Sequence, residues 1–230
     1  MPSMYDIYAR HADRYDELVS REDWQGNLGR YLLGTFDFEG KRVLEFGTGT
    51  GRVTALYAGL AAQVVCFDRS AHMLERARRR LRAHEHKLAF RLLDNADIAT
   101  LAEQADVVIE GWSFGHRALD MDDPAAAADE LVEACLAQLL PGGTLVLIET
   151  LGSNVDAPAA PLPGLEAFYR ALERRHGLRR DVVATDYRFD SPADAARAFG
   201  FFFGEDAAAG IEQRHDGVIP EYTGVWSRRK

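Results

Sequence analysis

The chain has 230 residues, with 27 Lys and Arg against 36 Asp and Glu, for a net charge of −9. Apolar residues make up 47% and charged residues 27%, the balance of a chain that buries a core rather than one that stays disordered. Two cysteines, Cys66 and Cys135, exclude a disulfide scaffold; there is no CxxC pair for zinc, and no apolar run approaches the roughly 20 residues of a membrane span.

The negative charge disfavours nucleic acid as a partner, since phosphate backbones call for a basic face. Residues 1–17 show no apolar h-region, so a cytoplasmic location is expected. Residues 1–40 are polar and aromatic, with Tyr5, Tyr8, Tyr15, Trp24 and Tyr31 spread through predicted helices. Residues 41–46 (KRVLEF) form a short apolar run ending in a glycine cluster, which predicts a buried strand. A helix over 52–60 and a second strand over 62–67 follow, the strand ending at Asp68. Ser70 is placed to cap a helix over 72–82. Residues 88–93 and 106–110 read as the third and fourth strands. An Ala- and Leu-rich helix over 124–140, a turn at 141–143 and a fifth strand over 144–149 complete the pattern. Strands that are apolar throughout and alternate with helices predict a parallel sheet covered on both faces. Beyond it lie a Pro/Ala loop at 156–163, a helix over 165–176, a strand over 181–189 and a helix over 191–203 with Ser191 as cap and Pro192 first. A short strand over 221–226 ends the chain.

Chemistry concentrates in VLEFGTGTG, residues 43–51. A strand feeds into Gly47, Gly49 and Gly51, and a helix follows. Glycine lets the backbone turn and a ligand approach the main chain. Asp68, at the end of the next strand, stands where a carboxylate grips ribose hydroxyls. A dinucleotide loop wants G-x-G-x-x-G, yet the residue three after Gly51 is Thr54. The pattern here is E-x-G-x-G-x-G. Glu45 beside the loop suits a ligand with an ammonium group better than a pyrophosphate.

Over residues 40–150 the chain resembles the class I S-adenosylmethionine-dependent methyltransferases. VLEFGTGTG, VVCFDRSAHML, FRLLDNADI, ADVVIEGWSFGH and LLPGGTLVLIE look like their successive motifs, and EYTGVW looks like their last strand. The resemblance implies an α/β, Rossmann-like, seven-stranded and mostly parallel sheet with helices on both faces, in the order 3-2-1-4-5-7-6. N-terminal helices precede it, and a helical insertion comes before the last strand. It implies one methyltransferase domain over 1–230, with a helical cap (1–40), a cofactor-binding core (41–150) and a substrate-side part (151–230). S-adenosylmethionine is the implied cofactor and S-adenosylhomocysteine the product. Glu45, Gly47, Gly49, Gly51, Asp68, Arg69, Met73, Asp94, Asn95, Glu110 and Gly111 are the implied cofactor residues. Asp68 takes the ribose and Asp94 the adenine amino group, while the Asn95 backbone donates to the ring. Met73 lies on the purine or is simply core. Glu45 and the Glu110 region meet the ammonium. Asp97 reads as a helix cap, and Glu149 as solvent-facing or at a helix terminus.

The acceptor is expected to be a small molecule, held outside the carboxyl ends of the strands. Trp112 and Phe114 form its wall or ordinary core. Tyr5, Tyr8 and Tyr15 are expected to cover the site, Tyr8 and Tyr15 on the substrate side, with Tyr5 and Tyr8 as the i, i+3 stripe of a packed helix as the alternative. His116 is the candidate general base, with loop-holding as its alternative. Phe199, Phe201, Phe202 and Phe203 read as core ahead of a pocket roof. His84 and His86 do not share a helix face, so no metal is expected. Two other functions stay open: an NAD(P)-dependent oxidoreductase, which the missing third glycine disfavours, and a non-catalytic adenosylmethionine-binding protein.

Overall fold

The strands that carry the candidate site are apolar for nearly their whole length. In β1 (Arg42–Phe46), Val43, Leu44 and Phe46 are fully buried. The same holds for Val64, Val65 and Cys66 of β2 (Gln63–Asp68), and for Val108 and Ile109 of β4 (Ala105–Gly111). Burial on both faces is what a parallel sheet between helices demands. The computed structural model describes residues 17–214 and 216–230; Tyr5, Tyr8 and Tyr15 lie outside that range. With β3 (Leu88–Leu92), β5 (Leu139–Ser153), β6 (Arg179–Ala184) and β9 (Glu221–Arg229), the sheet has seven strands in the order β3-β2-β1-β4-β5-β9-β6. This is the order expected from the resemblance, with β9 as the terminal strand. The pairs β3–β2, β2–β1, β1–β4 and β4–β5 are parallel.

Helix ends follow their capping residues. Ser70 accepts from the Met73 N–H and starts α3 (Ala71–Arg80), which buries Met73, Leu74 and Ala77 and turns Arg78, Arg79 and Arg80 outward. α5 (Pro124–Gln138) opens on an Asp123 cap with proline in its first turn. The remaining elements of this part are α1 (Asn27–Thr35), α2 (Arg52–Tyr57), α4 (Phe114–Leu119) and α6 (Pro163–Arg174).

Two boundaries differ from expectation. The fifth strand begins at Leu139, through residues read as a turn; Gly142 there takes φ 80°. The strand expected over 181–189 is broken into β6 and β7 (Tyr187–Arg188), where the Thr185 and Asp186 carbonyls accept from the Asp23 and Trp24 N–H groups, while both residues also bond Glu221 at the start of β9. Thr185 N–H donates to the Glu221 carbonyl at 2.8 Å, and the Asp186 side chain accepts from Glu221 N–H at 3.1 Å. β7 then pairs with β8 (Val218–Ile219) in a separate antiparallel ribbon.

The chain forms two compact units. One is Leu32–Glu149, Ala160–Asp181 and Gly224–Lys230, and holds the carboxyl ends of β1, β2, β3 and β4. The other comprises, among the described residues, 17–31, Thr150–Ala159 and Val182–Thr223. It has its own core of Leu18, Tyr187, Phe189, Phe199, Phe202 and Ile219, to which α7 (Pro192–Phe203) contributes. Phe199 and Phe202 are therefore core, as expected, while Phe203 is exposed.

Candidate functional site

The loop after β1 can be built only from glycine at two of its positions. At Gly47 (φ 65°) a Cβ would lie 2.1 Å from the Ser113 hydroxyl oxygen. At Gly51 (φ 81°) it would lie 2.8 Å from Leu81 Cδ1 and 3.2 Å from Ala77 Cβ. The first glycine thus admits the loop after β4, and the third admits the helix after β2. Thr48 N–H donates to the Phe67 carbonyl at 3.0 Å and Gly49 N–H to Asp68 Oδ2 at 2.8 Å. The loop is thereby tied to the end of β2.

Asp68 is half-buried, and Ser70 N–H donates to its other oxygen at 2.8 Å. Burial raises its carboxyl above the ordinary value, and the two backbone donors and Arg69 oppose the rise. Each oxygen keeps a lone pair for a further donor. Arg69 reaches from this end of β2 to Asp94, with Nε 3.6 Å from Oδ2. Asp94 Oδ1 accepts from Ala96 N–H and caps the 3-10 turn Asn95–Thr100, the role expected of Asp97. Asn95 Nδ2 donates to Ser113 Oγ at 3.1 Å. Met73 is buried beside the cap of α3.

Three acids are buried at the strand ends. Glu45 accepts from Thr54 Oγ1 at 2.9 Å and from the Tyr57 hydroxyl, so both its oxygens are taken up by α2. Burial pushes its carboxyl up to about 7, against the pull of those two donors. Glu110 accepts at Oε1 from the N–H groups of Ser113 and Phe114 and from Ser113 Oγ. Its Oε2 is buried with no hydrogen-bond partner among the described residues. Glu149 Oε1 accepts from Gly115 N–H at 2.5 Å. Glu110 pairs with Leu147 across β4 and β5, so Glu110 and Glu149 project from the same face, two residues apart. Burial raises both carboxyls, Glu110 to about 7, and the proximity of Glu110 raises Glu149 further. Of the two readings for Glu149, the helix terminus holds: together these acids receive the first N–H groups of α4.

The loop they hold carries the acceptor-side candidates. Trp112 has φ 52°, rare for a bulky residue, and its N–H donates to the Ile148 carbonyl at 2.7 Å. The Arg52 guanidinium lies 4.1 Å from its ring centroid. Gly111 lets Val53 approach, since a Cβ there would be 3.1 Å from Val53 Cγ2. Phe114 is fully buried and stacked on Phe46, which makes it core. His116, on α4, is held below its ordinary pKa by burial, which outweighs the opposing charge of Asp120. It is a neutral imidazole at neutral pH. Ser113 and Arg52 escape a reading of the sequence. Each lies in or beside a motif but matters through a contact with a residue far away in the chain.

These groups lie at the carboxyl ends of β2, β1 and β4. The strand order reverses between β1 and β4, the place where open α/β sheets bind ligands. The donor set fits an adenosyl ligand: a carboxylate for a diol, polar groups after β3 for a base, and a glycine loop at the strand end between them. A methyltransferase-domain family profile matches residues 43–143. A demethylmenaquinone methyltransferase of Clavibacter sepedonicus is 36% identical, over 95% of this chain and 89% of that protein. A ubiquinone biosynthesis O-methyltransferase of Chelativorans sp. is 27% identical, over 67% of this chain and 57% of that protein. A proposed methyltransferase of Bacillus halodurans shares the fold, with a TM-score of 0.56 at 17% identity, over 88% of this chain and 98% of that one. The chain belongs to the class I S-adenosylmethionine-dependent methyltransferase family.

Proposed function

We propose that this methyltransferase acts on a small-molecule acceptor, with the residues at the ends of β1, β2 and β4 holding its cofactor. One observation supports the acceptor class: a relative matched over 95% of this chain is named for a quinone, demethylmenaquinone, and not for a nucleic acid or protein. The net charge of −9 also opposes a phosphate backbone as acceptor.

When bound, S-adenosylmethionine supplies a methyl group activated by a sulfonium and transferred in line to a nucleophile. The chain's own residues bind and orient. Asp68 accepts from the ribose hydroxyls while Gly49 and Ser70 fix its two oxygens. Asp94 and Asn95 meet the adenine edge, Met73 packs beneath it, and Arg69 bridges to Asp94. Gly47, Gly49 and Gly51 let the methionyl part pass close to the backbone. Glu45 acts through Thr54 and Tyr57, holding α2 against β1. Glu110 and Gly111 set the start of the next loop, and Trp112 walls the acceptor side. His116, neutral, is the group able to take a proton from a hydroxyl acceptor. Tyr8 and Tyr15 are assigned to the acceptor.

Calorimetry and acceptor screening test this together. S-adenosylhomocysteine should bind and raise the melting temperature, and NADP should do neither. Asp68→Ala should weaken S-adenosylhomocysteine by about 2–4 kcal/mol, the loss of two charge-assisted hydrogen bonds. Unchanged affinity in the folded variant would remove Asp68 from the ribose site. Release of S-adenosylhomocysteine should rise with phenolic and quinol acceptors and not with RNA. The reverse preference would overturn the acceptor class.

A further inference from the structure

With the ribose on Asp68 and the adenine on Asp94 and Asn95, a reading on which the role of Arg52 rests, the direction of the ligand is fixed. Those residues lie at the ends of β2 and β3, on one side of β1. The methionyl part, an ammonium and a carboxylate, must then cross the glycine loop toward β4 on the other side. A carboxylate taken from water needs a cation or several hydrogen-bond donors. The nearby buried acids offer none: Glu45 and Glu110 are themselves acceptors, and both belong to the strands beneath the loop.

Arg52 is at that place. It directly follows Gly51, and its guanidinium stacks over Trp112, the residue that follows β4. Both supports are fixed. Trp112 is held in a left-handed backbone conformation by its bond to Ile148, and Val53, next to Arg52, packs against Gly111. Stacking uses the flat face of a guanidinium. Its N–H edge, perpendicular to that contact, is the part that meets a carboxylate through two parallel bonds. The contact with Trp112 narrows the orientations of a long side chain before any ligand arrives, which lowers the entropy lost on binding.

We propose that Arg52, oriented by the ring of Trp112, pairs with the carboxylate of the cofactor's methionyl group. The strained backbone at Trp112 then has a use. It presents the ring face toward the β1 loop, where a relaxed extended residue would continue along the strand.

Calorimetry with two ligands separates this role from a general one. S-adenosylhomocysteine carries both the ammonium and the carboxylate. S-adenosyl-3-thiopropylamine keeps the ammonium and lacks the carboxylate. Wild-type protein should prefer the first. Arg52→Ala should lose about 10- to 100-fold in affinity for the first and little for the second. Arg52→Lys should fall between, since it keeps charge without the two-pronged edge, and Trp112→Ala should lower affinity for the carboxylate ligand alone, by less. Equal losses for both ligands, or no loss for S-adenosylhomocysteine, would overturn the assignment of Arg52 while leaving the cofactor reading intact. If an alanine variant fails to fold, the lysine variant and the wild-type preference decide: equal wild-type affinity for the two ligands also refutes it. Failure of wild-type protein to bind either ligand would overturn the cofactor reading, and Arg52 with it.

Discussion

Replacing Glu45 with glutamine should stabilise the protein, by an amount that grows as pH rises from about 4.5 to about 7 and then levels off. Glu45 is 1% exposed, accepts from Thr54 and Tyr57, and has its carboxyl raised from 4.5 to about 7 by burial. A folded-state value above the unfolded one means that the native protein binds more protons between those two values. Stability from this group is therefore full below about pH 4.5 and is lost as pH rises through about 7. The rise from 4.5 to about 7 corresponds to about 3 kcal/mol at roughly 1.36 kcal/mol per pH unit, an order-of-magnitude figure for the cost of the ionised form. Glutamine has the shape of the protonated acid. Its carbonyl oxygen can still accept from Thr54, and its amide can donate to the Tyr57 oxygen. Wild type and Glu45→Gln should then unfold alike in urea at about pH 4, below both values. At pH 8.5 the variant should be more stable by up to about 3 kcal/mol, or about 6–12 °C in melting temperature for a chain of this size. Glu110 and Glu149, whose carboxyls are also raised, give both proteins the same additional slope, so the difference isolates Glu45. Parallel pH curves, or a variant less stable at pH 8.5, would refute the account of Glu45 as a buried charge without a cation.

Gly47→Ala should abolish measurable S-adenosylhomocysteine binding by calorimetry, because its Cβ would collide with Ser113 Oγ and its backbone is left-handed. Adding Ser113→Gly should restore part of it, the left-handed conformation alone costing about 1–2 kcal/mol; a double variant no better than the single one would show that Ser113 is not the obstacle. With a hydroxyl acceptor, the rate should rise with pH through the His116 pKa, which burial places below its ordinary 6.5, so the rising limb should lie in the acid range. His116→Ala should lower turnover by about 10²–10⁴-fold with S-adenosylhomocysteine affinity kept, and near-normal turnover would remove it as the base.

The sheet was legible because its signal is local. Val43, Leu44 and Phe46, or Leu145, Val146, Leu147 and Ile148, need both faces covered, and each such run declares a central strand wherever it sits. The caps at Ser70 and Ser191 were equally plain, being decided within three residues. Boundaries failed where distant partners decide them. Nothing within residues 181–189 says that the Thr185 and Asp186 carbonyls will accept from Asp23 and Trp24 between β6 and β7.

The candidate site divides in the same way. Its glycines and Asp68 lie in one short pattern, and that pattern is readable because a ligand must approach bare backbone beside a strand end. The groups that hold the pattern in place are scattered. Ser113 needs Gly47 to be small, ties Asn95 to Glu110, and comes 66 residues after the glycine it fits against. Glu45 has the appearance of a ligand residue because it stands beside the loop. In the structure it is buried, and Thr54 and Tyr57 of the next helix donate to its two oxygens. A residue's distance from a motif along the chain therefore says little about whether it touches the ligand. Glu45, Glu110 and Glu149 are all buried and accept from backbone N–H groups or hydroxyls of the elements around them. Their charges act on the site through the backbone N–H groups and hydroxyls they anchor.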